Sequence, residues 1–195
     1  MRRIISILFL AMLISGCNNQ GQKKDVHNNH ETKSNSEEAP KKKPLSPHTS
    51  TMAMVGDAHI HIDYSSPGVR DRIIFGGLLA YDQVWQAGAH MATWIESNKD
   101  LEIDGKFLPA GKYGFFTIPS KDDDWTIIFN SNWDQHGKDE YDEKDDVMRF
   151  KVEPIISNEI KEHLEYQVTK INDDEGTISM TWEKVSVRFN FKVNQ

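Results

Sequence analysis

The chain has 195 residues with 23 basic and 30 acidic side chains, a formal net charge of −7, and a single cysteine. One cysteine excludes a disulfide within the chain, so a folded domain must be stabilised by its core alone. The acidic balance argues against nucleic-acid binding, since no basic stripe interleaved with aromatic residues follows the N-terminal segment.

The first 16 residues follow the pattern of an export signal. Met1-Arg2-Arg3 is a positively charged start, and the stretch from Ile4 to Ile14 is apolar except for one serine. This apolar run is too short for a permanent transmembrane helix. Ile14-Ser15-Gly16-Cys17 resembles a lipobox, in which the cysteine is lipidated and the signal is cut before it. We therefore predict a lipoprotein that is anchored to the membrane through Cys17, each buried methylene of its acyl chains contributing about 0.8 kcal/mol.

Residues 17–47 are predicted to form a flexible tether. They consist mainly of Asn, Gln, Lys, Ser, Glu and Pro, and they cannot bury enough apolar surface to offset the entropy of ordering. A tether of about 30 residues has a root-mean-square reach of about 30 Å, enough to hold a domain clear of the lipid headgroups. Asn18 after the lipidated cysteine favours the outer membrane. Asn18–Lys24 lacks an acidic surface-export signal, so we expect the domain to face the periplasm.

Residues 48–195 are predicted to form one all-β domain. From Val185 to Val193 apolar and polar side chains alternate, and shorter alternations surround Met180 and Tyr166. Turn-forming residues such as Asp104-Gly105 separate these runs. About nine strands at this spacing predict an antiparallel β-sandwich or a barrel. Leu79–Trp85 is the one segment expected to form a short helical turn.

A series of motifs in fixed order gives the domain a family resemblance. The motifs are Tyr64-Ser65-Ser66-Pro67, Ile74-Phe75-Gly76-Gly77-Leu78, Val84-Trp85-Gln86-Ala87-Gly88-Ala89, Leu108-Pro109-Ala110-Gly111-Lys112-Tyr113, Phe116-Thr117-Ile118-Pro119, Trp125-Thr126-Ile127-Ile128-Phe129 and Tyr141-Asp142-Glu143. Over roughly residues 55–193 the chain resembles the bacterial domain-of-unknown-function family 2911, which is common in exported proteins of Bacteroidetes. The resemblance implies an exported fold unit and no established activity. The chain departs from the family pattern at His90, where asparagine is usual, and at the paired histidines near the domain start.

Alternating polar residues near the domain start suggest a metal site. Asp57, His59, His61 and Asp63 fall at every second position, so in a strand all four share one face. Two imidazoles on one strand face can chelate a zinc or copper ion. The alternative is that these side chains form the solvated face of an edge strand, and the sequence by itself favours that alternative.

A metal site at these histidines needs further ligands from elsewhere in the chain. His90 begins another expected strand, and His136 lies in a polar segment, so both are candidate ligands. His48, Met52 and Met54 lie just upstream, and thioethers together with imidazoles would suit copper. The predicted metal set is therefore His59, His61, His90 and His136, with zinc or copper as the ion.

Two other features suggest ligand binding. Trp133 has polar neighbours and is the best candidate for an exposed indole, which could stack on a sugar ring. Arg70 and Arg72 could bind an anion, although an exposed ion pair with Asp71 is the alternative. The tryptophans with apolar neighbours are predicted to be core residues: Trp85, Trp125 and Trp182.

The sequence contains no complete catalytic signature. It has no Gly-x-Ser-x-Gly elbow, no P-loop and no dinucleotide-binding glycine motif. It therefore favours a non-enzymatic, envelope-anchored protein that binds a small molecule, a glycan or a protein. The alternative is divalent-metal binding, or metal-dependent hydrolysis, through the histidine cluster.

Overall fold

The computed structural model describes residues 44–194, in which ten strands form two antiparallel sheets. The strands are β1 (His48–Val55), β2 (Ala58–Ser65), β3 (Thr93–Ser97), β4 (Leu101–Ile103), β5 (Lys106–Leu108), β6 (Gly111–Ile118), β7 (Trp125–Asn130), β8 (Asp146–Val152), β9 (Ile155–Lys170) and β10 (Glu175–Val193). Within this range the helical structure is a single 3₁₀ turn at Glu143–Asp145, and no helix is long and apolar enough to cross a membrane. The predicted signal peptide, Cys17 and tether residues 17–43 lie outside the described residues.

The two sheets confirm the predicted all-β sandwich. The larger sheet has the order β1-β2-β3-β6-β7-β8, and the smaller has the order β5-β4-β10-β9. In β2 alternate side chains are buried in the core, and Ile60 and Ile62 have no exposed surface. β2 lies between β1 and β3 and is not an edge strand, because the preceding residues form the edge strand themselves.

The core is rich in aromatic side chains from both sheets. The predicted core tryptophans Trp85, Trp125 and Trp182 are all buried. Phe75 lies edge-on to Trp125 at 4.8 Å between ring centroids, and Trp85 stacks on Trp182 at 5.6 Å. Aromatic contacts of this kind contribute about 0.5–1.5 kcal/mol each beyond the burial of apolar area.

The segment between β2 and β3 differs from the prediction. Leu79–Trp85 forms no helical turn, because Trp85 exchanges two backbone hydrogen bonds with Thr117 of β6, of 2.8 and 2.9 Å. His90 does not begin a strand either, since it lies in a bend with φ of +63° and β3 starts at Thr93. The conformation of this segment therefore depends on backbone hydrogen bonds to residues distant in sequence. Local residue preferences do not encode such hydrogen bonds.

Candidate functional site

A tight hairpin fixes which side chains share the outer face of the larger sheet. Gly56-Asp57 joins β1 to β2, with Val55 opposite Ala58. Gly56 has φ of +59°, a left-handed conformation that favours glycine and is typical of two-residue hairpin loops. Because the loop has two residues, the register of the whole β1–β2 pair follows from it.

This register places two methionines opposite the two predicted metal-binding histidines. Met54 is the direct partner of His59, and Met52 is the direct partner of His61. Side chains at directly opposite positions lie on the same face, with Cβ atoms about 4.5–5.5 Å apart. We call these four residues the Met–His face.

His61 is the best-enclosed member of the Met–His face. Its ring centroid lies 6.1 Å from that of His59 and 4.9 Å from that of Trp94, which it meets edge to face. The Nε2 atom of His61 is buried and has no hydrogen-bond partner among the described residues. A buried polar atom without a partner is uncommon and calls for an explanation such as a bound water or ion.

The structure does not gather the four predicted histidine ligands into one centre. His90 and His136 belong to neighbouring loop segments, which an isolated bridge joins at Met91 and His136. The Nδ1 atom of His136 faces the carboxylate of Asp139 at 3.7 Å. Between residues 44 and 194 no group of three or more histidine, cysteine or acidic side chains is placed to hold a metal ion. A metal site that includes His59 and His61 therefore needs other donors.

A second cluster of aromatic side chains adjoins the Met–His face. Trp94 and Trp133 meet at 6.3 Å between ring centroids, with their planes inclined by 70°. The Nζ atom of Lys112 lies 3.9 Å from the Trp94 centroid and 4.5 Å from the Trp133 centroid. Such cation–π contacts contribute about 0.5–1 kcal/mol at exposed sites. Lys112 therefore helps to hold the two indoles in place.

Gly114 of β6 allows Trp133 to approach the sheet. It is the direct partner of Trp94 in the β3–β6 pair. A Cβ atom at this position would lie 3.0 Å from the Asn132 carbonyl oxygen and 3.3 Å from the Trp133 Cα atom. The absent side chain therefore gives room for the backbone of Asn132 and Trp133.

The two indoles line a cleft of about 140 Å³. The Trp94–Trp133 cleft is lined by His48, Asp63, Tyr64, Ser65, Met91, Ala92, Trp94, Trp133 and Asp134. His48 Nε2 and Asp63 Oδ1 are 2.7 Å apart at its edge. The cleft thus combines indole walls with carboxylates, the mixture expected of a small-ligand site.

The sequence identified part of this cleft. Trp133 lies in it and is half-buried, whereas Trp94 and Lys112 were missed. A signal for Trp94 was present, because Thr93, Ile95 and Ser97 are the buried positions of β3 and leave Trp94 on the other face. Lys112 gave no signal, since its contact with the indoles depends on strand pairing.

The two arginines do not form a shared anion site. The guanidinium of Arg72 donates to the backbone carbonyls of Gly68 at 2.7 Å and Val69 at 3.0 Å. Arg70 is exposed, and its backbone N–H donates to the carboxylate of Glu162. Arg72 therefore stabilises the turn that contains it.

A larger cavity lies elsewhere on the domain. It has a volume of about 610 Å³ and is lined partly by the exposed acidic turn Lys121–Asp124. Its aromatic members Phe75 and Trp125 are buried and pack against each other. Its lining also includes the exposed Ile156 but no second indole, so it offers no paired indole surface to a ligand.

A polar network closes the β7–β8 end of the larger sheet. The Tyr141 hydroxyl donates to Asp146 Oδ2 at 2.8 Å, and Arg149 Nη2 donates to the same hydroxyl oxygen at 2.8 Å. Burial and the hydrogen bond to Asp146 raise the pKa of Tyr141 to about 12. A phenol with this pKa stays protonated at neutral pH, so Tyr141 acts here as a structural hydrogen-bond donor.

The fold and the site define a β-sandwich domain with an open sheet face that carries histidine, methionine and tryptophan side chains. The chain belongs to the family described as Protein of unknown function (DUF2911), whose model matches residues 46–191. This match confirms the resemblance found in the ordered motifs. No curated protein and no solved structure gives a match.

Proposed function

We propose that this protein is an envelope-anchored lipoprotein whose β domain binds a carbohydrate residue in the Trp94–Trp133 cleft. The observation that supports it is the pair of indoles, inclined by 70° and joined by Lys112, on two sides of one small cavity. Lys112 contacts both rings but does not itself line the cleft, whereas both indoles do.

The size of the cleft suits a single ring of a larger ligand. Its volume of about 140 Å³ is below the roughly 300–1,000 Å³ of sites for drug-sized molecules. Indoles offer flat apolar surface to the C–H groups of a sugar ring, and they need little side-chain ordering to do so. One terminal or projecting sugar residue is therefore the ligand that we propose.

The charges around the cleft restrict the type of sugar. Asp63 and Asp134 line it, and their carboxylates can accept hydrogen bonds from hydroxyl groups. The same carboxylates repel an acidic ligand, because like charges placed together at an interface lower affinity. Neutral and N-acetylated sugars should therefore bind better than uronic acids.

Calorimetric titration of the full chain with methyl glycosides tests this proposal. The panel contains a neutral hexose, an N-acetylhexosamine and a hexuronate. We expect saturable binding of at least one of the first two, with a Kd on the order of 1 mM, which corresponds to about −4.1 kcal/mol. The hexuronate should bind at least tenfold more weakly.

Matched aromatic substitutions locate the binding. Trp133→Ala should weaken the sugar affinity at least tenfold, whereas Phe107→Ala, which removes an exposed aromatic ring on β5, should leave it unchanged. Binding that survives Trp133→Ala, or the absence of binding to any sugar in the panel, would overturn the carbohydrate proposal.

Membrane anchoring through Cys17 is tested separately. Labelling of cells with an alkyne-tagged fatty acid should mark the protein, and Cys17→Ser should abolish the label and release the chain from the membrane fraction. We propose the periplasmic face of the outer membrane as its location. Protection from protease in intact cells, with digestion after the outer membrane is permeabilised, is the result expected there.

A further inference from the structure

Two exposed methionines of β1 stand directly opposite two histidines of β2. The pairs are Met52 with His61 and Met54 with His59. The antiparallel register of β1 and β2 is continuous through both pairs. The two thioethers are 58% and 52% exposed, although methionine is ordinarily a buried side chain. Packing in the hydrophobic core therefore does not explain why methionine occupies positions 52 and 54.

The spacing of the imidazoles suits one shared ion. The ring centroids of His59 and His61 are 6.1 Å apart. With metal–nitrogen bonds of about 2.0–2.1 Å, one ion fits between two rings at this separation. Met52 and Met54 occupy the directly opposite positions on the adjacent strand, so four potential donors share one face of the sheet.

The environment of His61 gives independent support. Its buried Nε2 atom has no hydrogen-bond partner within residues 44–194, and its ring packs against Trp94 with the planes inclined by 81°. The Lys112 ammonium already lies over the Trp94 ring, 3.9 Å from its centroid. The support from this environment is therefore the unpartnered nitrogen of His61 itself.

The donor types select the ion. Thioethers are soft, weakly basic ligands that favour monovalent copper, and imidazole suits copper and zinc alike. Structural zinc sites use thiolates, imidazoles or carboxylates, and the described residues offer no such group of three. We propose that the Met–His face binds Cu(I) through Met52, Met54, His59 and His61.

The charges on this face fit a monovalent cation. Asp63 on β2 and Glu96 on β3 share the face, and Lys112 on β6 lies 3.6 Å from the Glu96 carboxylate. Asp63 also pairs with His48, at 2.7 Å. The carboxylates near the donors therefore lie beside cationic or imidazole groups of the same surface, which does not favour a highly charged ion.

The site does not depend on carbohydrate binding. Its donors lie on β1 and β2, and none of the four lines the Trp94–Trp133 cleft. Trp133→Ala should therefore weaken sugar binding and leave metal binding unchanged, so the failure of one proposal is distinguishable from the failure of the other.

Titration with Ag(I) tests the site without redox chemistry. The probe is silver nitrate in chloride-free buffer, added to the full chain carrying Cys17→Ser, because a free thiol would bind the ion more tightly than a thioether. Methionine residues labelled with ¹³C at the methyl group report each thioether by NMR. We expect the Met52 and Met54 signals to shift together and to saturate at one ion per chain.

The chain supplies its own reference methionines. Met91 is 47% exposed and lies outside the Met–His face, whereas Met148 and Met180 are buried. All three signals should stay in place while those of Met52 and Met54 shift. Equal shifts of Met91 would show adventitious binding to any exposed thioether and would overturn the proposal.

Substitutions then identify the donors. Met52→Leu and Met54→Leu keep the approximate volume and should each lower the Ag(I) affinity at least tenfold, with Met91→Leu as the unaffected control. His59→Ala and His61→Ala should have the same effect as the first two. Affinity that is indifferent to these four changes, or Zn(II) binding that is tighter than Ag(I) binding, would refute the assignment.

Discussion

Asn130 donates a hydrogen bond from Nδ2 to Oδ1 of Asp146 across the β7–β8 pair, at 2.8 Å. The ladder shifts its register between Phe129 and Asn130, so this side-chain bond lies where backbone pairing is interrupted. Asp146 also accepts from Tyr141 and Arg149, and its side chain is only 6% exposed. One carboxylate therefore holds together the end of the sheet that precedes the Trp133 loop.

Loss of the Asp146 carboxylate should destabilise the domain strongly. Asp146→Ala leaves Asn130, Tyr141 and Arg149 without their shared acceptor. Arg149 keeps some access to water, so we expect a loss of about 2–3 kcal/mol in the free energy of unfolding, below the roughly 3–5 kcal/mol typical of breaking a fully buried ion pair. Urea denaturation measures this change, through a lower midpoint at unchanged slope.

Glu143 provides the control for Asp146. It also pairs with Arg149, at 2.8 Å, but its side chain is largely exposed. Exposed ion pairs contribute about 0–1 kcal/mol, so Glu143→Gln should change the free energy of unfolding by less than 1 kcal/mol. If both substitutions changed the free energy of unfolding equally, burial of Asp146 would not be the reason for its larger contribution to stability.

The stability of the domain should fall in alkali because of Tyr141. Its pKa is raised from 10.0 to about 12, chiefly by burial. A pKa raised on folding stabilises the protein below the unfolded pKa, and this contribution is lost as the pH rises from about 10 to about 12. The stability difference between the native chain and Tyr141→Phe should therefore shrink over this range. Urea midpoints at about pH 9 and about pH 11 test it, and a constant difference would contradict the assignment.

Gly114→Ala should impair both sugar binding and folding. The added methyl group would lie 2.9 Å from the buried Phe116 ring and would also meet the Asn132 carbonyl and the Trp133 backbone, so the ring and the loop must both move. We expect at least a threefold loss of glycoside affinity and a destabilisation of about 1–3 kcal/mol. At Gly105 an added Cβ atom would meet no other atom within 4 Å, but the residue has φ of +68°. Gly105→Ala therefore tests backbone strain away from the cleft. Calorimetry and urea denaturation separate the two effects.

The sequence predicted the strands whose alternation is long and uninterrupted. β10 shows this, because a period of two from Val185 to Val193 matches its buried positions at Val187, Phe189 and Phe191. The connection between β2 and β3 was not predictable in the same way. It is stabilised by partners far along the chain, such as the Glu162 carbonyl, which accepts from the Val69 N–H at 2.7 Å.

The candidate sites show the same division. The common face of His59, His61 and Asp63 follows from alternation alone. The opposition of methionines and histidines could also have been predicted, since Gly-Asp between two alternating runs is typical of a two-residue hairpin that fixes the register. The contact between Trp94 and Trp133 depends on the path of a loop over Gly114, and no local pattern encodes that path.

The Ala87 carbonyl offers a final test, because two side chains of different sheets donate to it. Tyr166 Oη donates at 2.6 Å and Thr93 Oγ1 at 3.0 Å, and Ala87 has φ of +50°. Tyr166→Phe or Thr93→Val leaves one donor in place, so each should cost about 0.5–1.5 kcal/mol.

The double variant removes both of these side-chain donors from the Ala87 carbonyl. It should therefore lose more than the sum of the single losses, by about 0.5–3 kcal/mol in a double-mutant cycle from urea denaturation. Strict additivity would mean that water replaces the lost donors, and the Ala87 turn would then be open to solvent.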